Sequence, residues 1–153
     1  MEEIKFRGKR IDNGEWVYGN LIYSSDAEVD EDFTTLIIPQ KDSNCFTGSS
    51  NDLGFECWYK VIPKTVGQYT GVDEIYSGDI LTADYYPFKD DDKSNYNAEV
   101  YWDNGVLQFC ICLHCVNPNK RGISDGMCEA LTEREIKFTK IGNIYDNPEL
   151  LER

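Results

Sequence analysis

The 153-residue chain has one histidine, and its 15 Lys and Arg are outnumbered by 28 Asp and Glu, giving a formal charge of −13. That shortage of cations argues against a protein that grips phosphate backbones non-specifically, and against attraction to an anionic membrane surface. No window approaches the roughly 18 consecutive apolar residues of a bilayer-crossing helix. The first ten residues, MEEIKFRGKR, lack the apolar run of about seven or more that a secretory signal needs. A cytoplasmic location is therefore expected. Neither G-x-G-x-x-G nor G-x-x-x-x-G-K-[ST] occurs, which removes the common phosphate-cradling loops.

What the chain does contain is a globular composition, 41% hydrophobic and 13% aromatic. Area scaling buries roughly 69% of the extended-chain surface at this length, enough for a core without disulfides or metal. The expectation is one domain over residues 1–153, with two packed β sub-domains meeting near residues 84–98 as its variant form. The six cysteines (Cys45, Cys57, Cys110, Cys112, Cys115 and Cys128) read as reduced thiols in an intracellular protein. The acidity is uneven. Residues 11–105 carry 5 basic and 19 acidic side chains, or −14, while residues 1–10 are at +2 and residues 106–153 at −1.

Glycines spaced along the chain separate short apolar and aromatic runs, the rhythm of strands joined by turns. Residues 4–23 read as a β-hairpin turning at Asp12-Asn13-Gly14, and Asp103-Asn104-Gly105 is the clearest hairpin signal. Further strands are expected at 34–38, 57–62, 65–70, 75–83, 99–102, 106–116 and 136–141. Loops are expected at 40–56 and 87–97. Thr132 and Glu135 have capping-box spacing beside a short helical turn at 124–134. Asn147-Pro148 opens a terminal turn at 148–153. The fold class is all-β, with at least one small barrel.

Several residue groups bear on chemistry. Cys112 and Cys115 have C-x-x-C spacing, and a zinc site would draw on them with Cys45, Cys57 or His114. Against it, Cys110, Cys112 and His114 alternate along one strand face about 6.6 Å apart, too far to chelate together, and the plainer reading is core packing. A Cys112–His114 nucleophile pair has no orienting acid that the sequence can name. Asp30-Glu31-Asp32 and Asp90-Asp91-Asp92 fit no EF-hand and read as solvated loop charge. Lys5, Arg7, Lys9 and Arg10 form the one basic cluster, read as the solvent face of an edge strand, with a local nucleic-acid contact as the alternative.

Three blocks, IKFRGKRIDNGEWVYGNLI at 4–22, VIPKTVGQYTGVDEIYSGDIL at 61–81 and IGNIYDNPELL at 141–151, resemble the YopX family of bacteriophage and prophage proteins. The match rests on Phe6-Arg7, Trp16-Val17-Tyr18-Gly19, Thr65–Gly71, Ile75–Ile80 and Ile141–Leu151. Between T-G and I-Y the turn Gly71-Val72-Asp73-Glu74 is shorter than the family often has, and the cysteine strand is not part of the motif. The resemblance implies an SH3-like β-barrel and a phage accessory protein, and it brings no catalytic residues and no cofactor. The motif residues read chiefly as fold determinants: Gly67, Gly71, Gly78 and Gly142 for turns or close packing, and Trp16, Tyr18, Tyr69, Tyr76 and Tyr145 for the core. A second reading has Tyr69, Asp79 and Tyr145 lining a shared groove.

Three functions follow as expectations. The first is a non-enzymatic interaction module that assembles with itself. The second is an acidic decoy that binds a basic, nucleic-acid-binding host protein. The third is a zinc or thiol protein using residues 110–115.

Overall fold

The computed structural model describes residues 4–24, 34–39, 58–83, 96–114, 124–126 and 137–151. The chain divides into two compact units, Met1–Glu74 and Ile75–Arg153. The segment 84–95, which holds most of the expected sub-domain boundary, lies outside the described residues, as does most of the expected 40–56 loop. No helix among the described residues is long and apolar enough to cross a membrane.

The first unit is an antiparallel sheet of β1 (Phe6–Lys9), β2 (Trp16–Ser24), β3 (Thr34–Pro39), β4 (Tyr59–Lys60) and β5 (Gly67–Gln68), in the order β4-β3-β2-β1-β5. The 4–23 hairpin forms as expected. Arg10 N donates to Glu15 O at 2.9 Å and Gly14, at φ +73°, donates to Arg10 O at 3.0 Å. The Asn13 side chain accepts from Glu15 N at 3.0 Å, so Asn-Gly supplies both a local acceptor and the left-handed backbone. Alternation then separates two faces. Val17, Ile37 and Val61 are the buried core, with Phe6, Leu21, Tyr59 and Val66 packed on it.

Gly19 of the W-x-Y-G run fixes the approach of β3. A Cβ there would run into the Ile38 carbonyl and come within 2.8 Å of Pro39 Cα. Both are main-chain atoms that cannot swing aside.

β1 is interior, flanked by β2 and β5. This corrects the edge-strand reading of the Lys5–Arg10 cluster. The end of β1 also reaches the chain after β4: Arg10 bridges Val61, Ile62 N donates to Lys9 O at 2.8 Å, and Ile11 N donates to Lys60 O at 3.0 Å. On its other side Val61 N donates to Thr35 O of β3 at 3.0 Å. A turn of 3-10 helix at Pro63–Thr65 follows, and the buried Thr65 hydroxyl accepts from Lys9 N at 2.9 Å while donating to Ile62 O at 2.7 Å.

The second unit is an antiparallel sheet of β6 (Asp79–Ala83), β7 (Tyr96–Asp103), β8 (Gln108–His114), β9 (Ser124–Gly126) and β10 (Thr139–Asn143), ordered β10-β6-β7-β8-β9. Ile75, Tyr76, Ile80, Leu81, Ala98, Val100, Cys110 and Ile111 are its buried apolar side chains. Neither sheet closes into a continuous barrel among the described residues; the Arg10–Val61 bridge is the nearest approach to closure.

Three expectations change in this unit. Residues 124–126 form a strand rather than part of a helical turn, and Thr132 and Glu135 lie outside the described residues. The β7–β8 loop is four residues long, because Asp103 pairs with Gln108. Its positive φ, +55°, falls on Leu107 instead of Gly105, and Asp103 Oδ1 accepts from Gly105 N at 2.7 Å. A carboxylate holding the turn from its first residue displaces the two-residue geometry that Asn-Gly alone favours. Finally, Pro148–Leu151 is a turn of 3-10 helix, but the Asn147 side chain accepts from Asn143 N at 3.4 Å, and the Asn147 main-chain carbonyl accepts from Leu150 N.

Candidate functional site

The motif blocks pair off within each unit. In the first, Phe6 and Arg7 pair with Gln68 and Gly67, and Tyr69 N donates to Lys5 O at 2.8 Å, so F-R is zipped to T-V-G-Q-Y-T. In the second, Asp79 and Ile80 pair with Asn143 and Gly142, which zips I-Y-S-G-D-I to I-G-N-I-Y. Residues far apart in sequence are thus brought to one ladder in each unit.

The face of the first sheet opposite its core is cationic and aromatic. Direct cross-strand pairs Arg7–Tyr18, Lys9–Trp16, Ile22–Leu36 and Leu36–Lys60 place these side chains on one side. Arg7 lies over the Trp16 ring at 4.7 Å, Lys9 over the same ring at 5.7 Å, and Lys5 over Tyr69 at 5.8 Å. Arg7 is 3% exposed, whereas Tyr18 is 47% exposed. The expectation that Tyr18 fills the core is therefore wrong: its strand position alternates away from Val17. No strand of this sheet carries an acidic residue. At the hairpin turn Arg10 is different in kind. It donates to both carboxylate oxygens of Asp12, through Nε at 2.8 Å and through Nη2, and lies over the Tyr59 ring at 4.1 Å. The hydrogen bond from Arg10 holds the Asp12 carboxyl below the usual carboxylate range.

Asp79 is 1% exposed. Its Oδ2 accepts from Tyr76 N at 2.8 Å and stands 3.4 Å from Lys140 Nζ on β10. Tyr145 is held close by: Asn143 Oδ1 accepts from Tyr145 N and Asp146 N, each at 3.0 Å. The Tyr145 ring lies 3.2 Å from the place a Cβ would take on Gly78, the residue before Asp79. Asp79 and Tyr145 thus belong to one neighbourhood of the second unit, while Tyr69 belongs to the first unit, under Lys5.

The cysteine strand is β8. Cys110 is buried and pairs with Tyr101 and Gly126. Cys112 is half-buried and pairs with Glu99. Burial, and secondarily the Glu99 charge, push the Cys112 thiol up, which disfavours the thiolate that a nucleophile or metal ligand requires. Among the described residues no group of three or more His, Cys, Asp or Glu is placed to hold a metal ion. Cys45, Cys57, Cys115 and Cys128, with both acidic runs, lie outside the described residues.

Sequence reasoning missed the burial of Arg7 against Trp16. The alternation sets Arg7 on the side of the W-x-Y aromatics across the hairpin, but the face it shares carries no local sign of burial. Comparison with curated proteins finds no significant match. The description that does match is that of the YopX protein family, over residues 5–152. With the F-R and W-x-Y-G runs paired in one sheet and I-Y-S-G-D-I against I-G-N-I-Y in the other, the chain belongs to the YopX family.

Proposed function

We propose that the chain is a non-enzymatic interaction module, an accessory protein of a bacteriophage or prophage that works in the host cytoplasm. One observation supports this above others: the polar motif residues are committed to the fold. Asp79 holds the Tyr76 amide and faces Lys140, Arg7 is buried on Trp16, and Asn143 and Asn147 bond the same C-terminal turn. Side chains engaged in this way build a scaffold and leave recognition to the surface. The Arg10–Val61 bridge, which ties the end of β1 to the chain after β4, supports an SH3-like small barrel as the finer description of the first unit.

A basic protein is the partner favoured by charge. The described residues carry 8 basic and 10 acidic side chains, so −11 of the −13 formal charge lies in the remaining segments, led by Asp26–Asp32 and Asp84–Asp92. Attraction of this kind weakens as salt screens it. Affinity capture from lysogenic or infected bacteria tests the proposal. Retention of a basic protein that added salt releases supports it. A homogeneous monomer that retains nothing and turns over a small-molecule substrate refutes it.

A further inference from the structure

The cationic face of the first sheet calls for a ligand of its own. Its charge runs against that of the chain as a whole: Arg7, Lys9 and Lys60 are the charged strand residues, and all are positive. Lys5, Arg7 and Lys9 follow one another on this face at about 6.7 Å, twice the strand rise, a repeat on the scale of an extended nucleotide. Beside them stand Trp16 and Tyr69, each already under a cation, and then Tyr18 and Ile22, 47% and 41% exposed.

We propose that this face binds single-stranded nucleic acid, with bases stacking on Tyr18 and its neighbours and the backbone lying along Lys5, Lys9 and Lys60. Aromatic side chains on an open sheet, flanked by cations, are how proteins hold unpaired bases without reading a groove. Buried Arg7 makes no direct contact and holds the Trp16 ring in place. The chain's net charge is −13, but no strand of this sheet carries an acidic residue. An acidic peptide complements the charge of this face but offers no base to stack on Tyr18.

The inference deepens the interaction-module reading and rests on it, but fails separately. The test is fluorescence anisotropy of labelled oligo-dT and oligo-rU of about 12 nucleotides, titrated with the full chain at low and physiological salt. Saturable binding is expected, weakening with salt by about 0.7 log units per phosphate contact for each tenfold rise. Tyr18→Ala should weaken it at least about 5-fold, the lower end for one lost stack. Lys60→Glu should weaken it and flatten the salt dependence, both variants keeping the wild-type melting temperature. If Lys60→Glu does not fold, Lys60→Gln is expected to act in the same direction. The proposal is overturned by no binding at low salt, by affinity that folded variants leave unchanged, or by a poly-glutamate peptide that binds more tightly than either oligonucleotide. Those results would leave salt-sensitive capture of a basic protein untouched.

Discussion

Tyr76 and Asp79 hold each other twice: the Asp79 amide donates to the Tyr76 carbonyl at 3.0 Å, and the Tyr76 amide donates back to Asp79 Oδ2 at 2.8 Å. This reciprocal clasp opens β6 and sets Asp79 opposite Asn143 of β10. It explains why a buried carboxylate belongs in I-Y-S-G-D-I. The group closes a turn at the point where two motif blocks meet.

Asp79→Ala leaves the buried Tyr76 amide without its acceptor, which costs about 1–3 kcal/mol. Asp79→Asn keeps an oxygen there and should cost less. Lys140→Gln should change stability by less than about 1 kcal/mol, because its ammonium is partly exposed and the pair is correspondingly screened. Chemical denaturation of the three variants checks the order. An alanine variant as stable as wild type would show that the clasp is dispensable.

Much of the fold was legible in the residues and part was not. Alternation and Asn-Gly located the β1–β2 hairpin, because strand period and turn chemistry are local. The interior position of β1 was not legible: a strand was expected at 65–70, but no local signal says that it pairs with β1 about sixty positions away. Arg7 looked like solvent charge for the same reason, since burial is a property of neighbours that arrive from elsewhere. The second hairpin was located correctly, but its return strand begins at Gln108 rather than at 106, the Asp103 side chain holding the longer turn.

Gly19→Ala tests the close approach between β2 and β3. The new methyl would meet main-chain atoms of Ile38 and Pro39, so a loss of about 1–3 kcal/mol or more is expected from overpacking. Gly14→Ala meets no atom within 4 Å and suffers only from its φ of +73°, a cost of about 1–2 kcal/mol. Thermal melts should rank Gly19→Ala as the more damaging. The reverse order would place β3 wrongly.

Leu107 holds φ +55° while 72% exposed. Replacing it with Gly or Asn removes backbone strain and sacrifices little packing. A gain of about 0.5–1 kcal/mol is expected, measured as a rise in denaturation midpoint. A loss instead would reveal that Leu107 packs against something.

Acid should loosen the β1–β2 turn late. The folded carboxyl of Asp12 is held below its ordinary value by Arg10, so its contribution is complete above the unfolded-chain value and is lost as pH falls through the lower, folded one. NMR titration of the Asp12 side chain should give a midpoint below that of an ordinary aspartate, returning toward the ordinary value in Arg10→Gln. An unchanged midpoint in that variant would remove Arg10 as the cause.

The motifs build two sheets, and the proposal that their surfaces carry the function follows from that. It is tested most directly by affinity capture with the tagged chain from lysogenic or infected bacteria, beside a Tyr18→Ala, Lys60→Glu double variant shown to melt like wild type. The wild-type chain is expected to retain a salt-sensitive partner or nucleic acid, and the double variant to retain an altered set. A chain that retains nothing, remains monomeric and turns over a small-molecule substrate would contradict it.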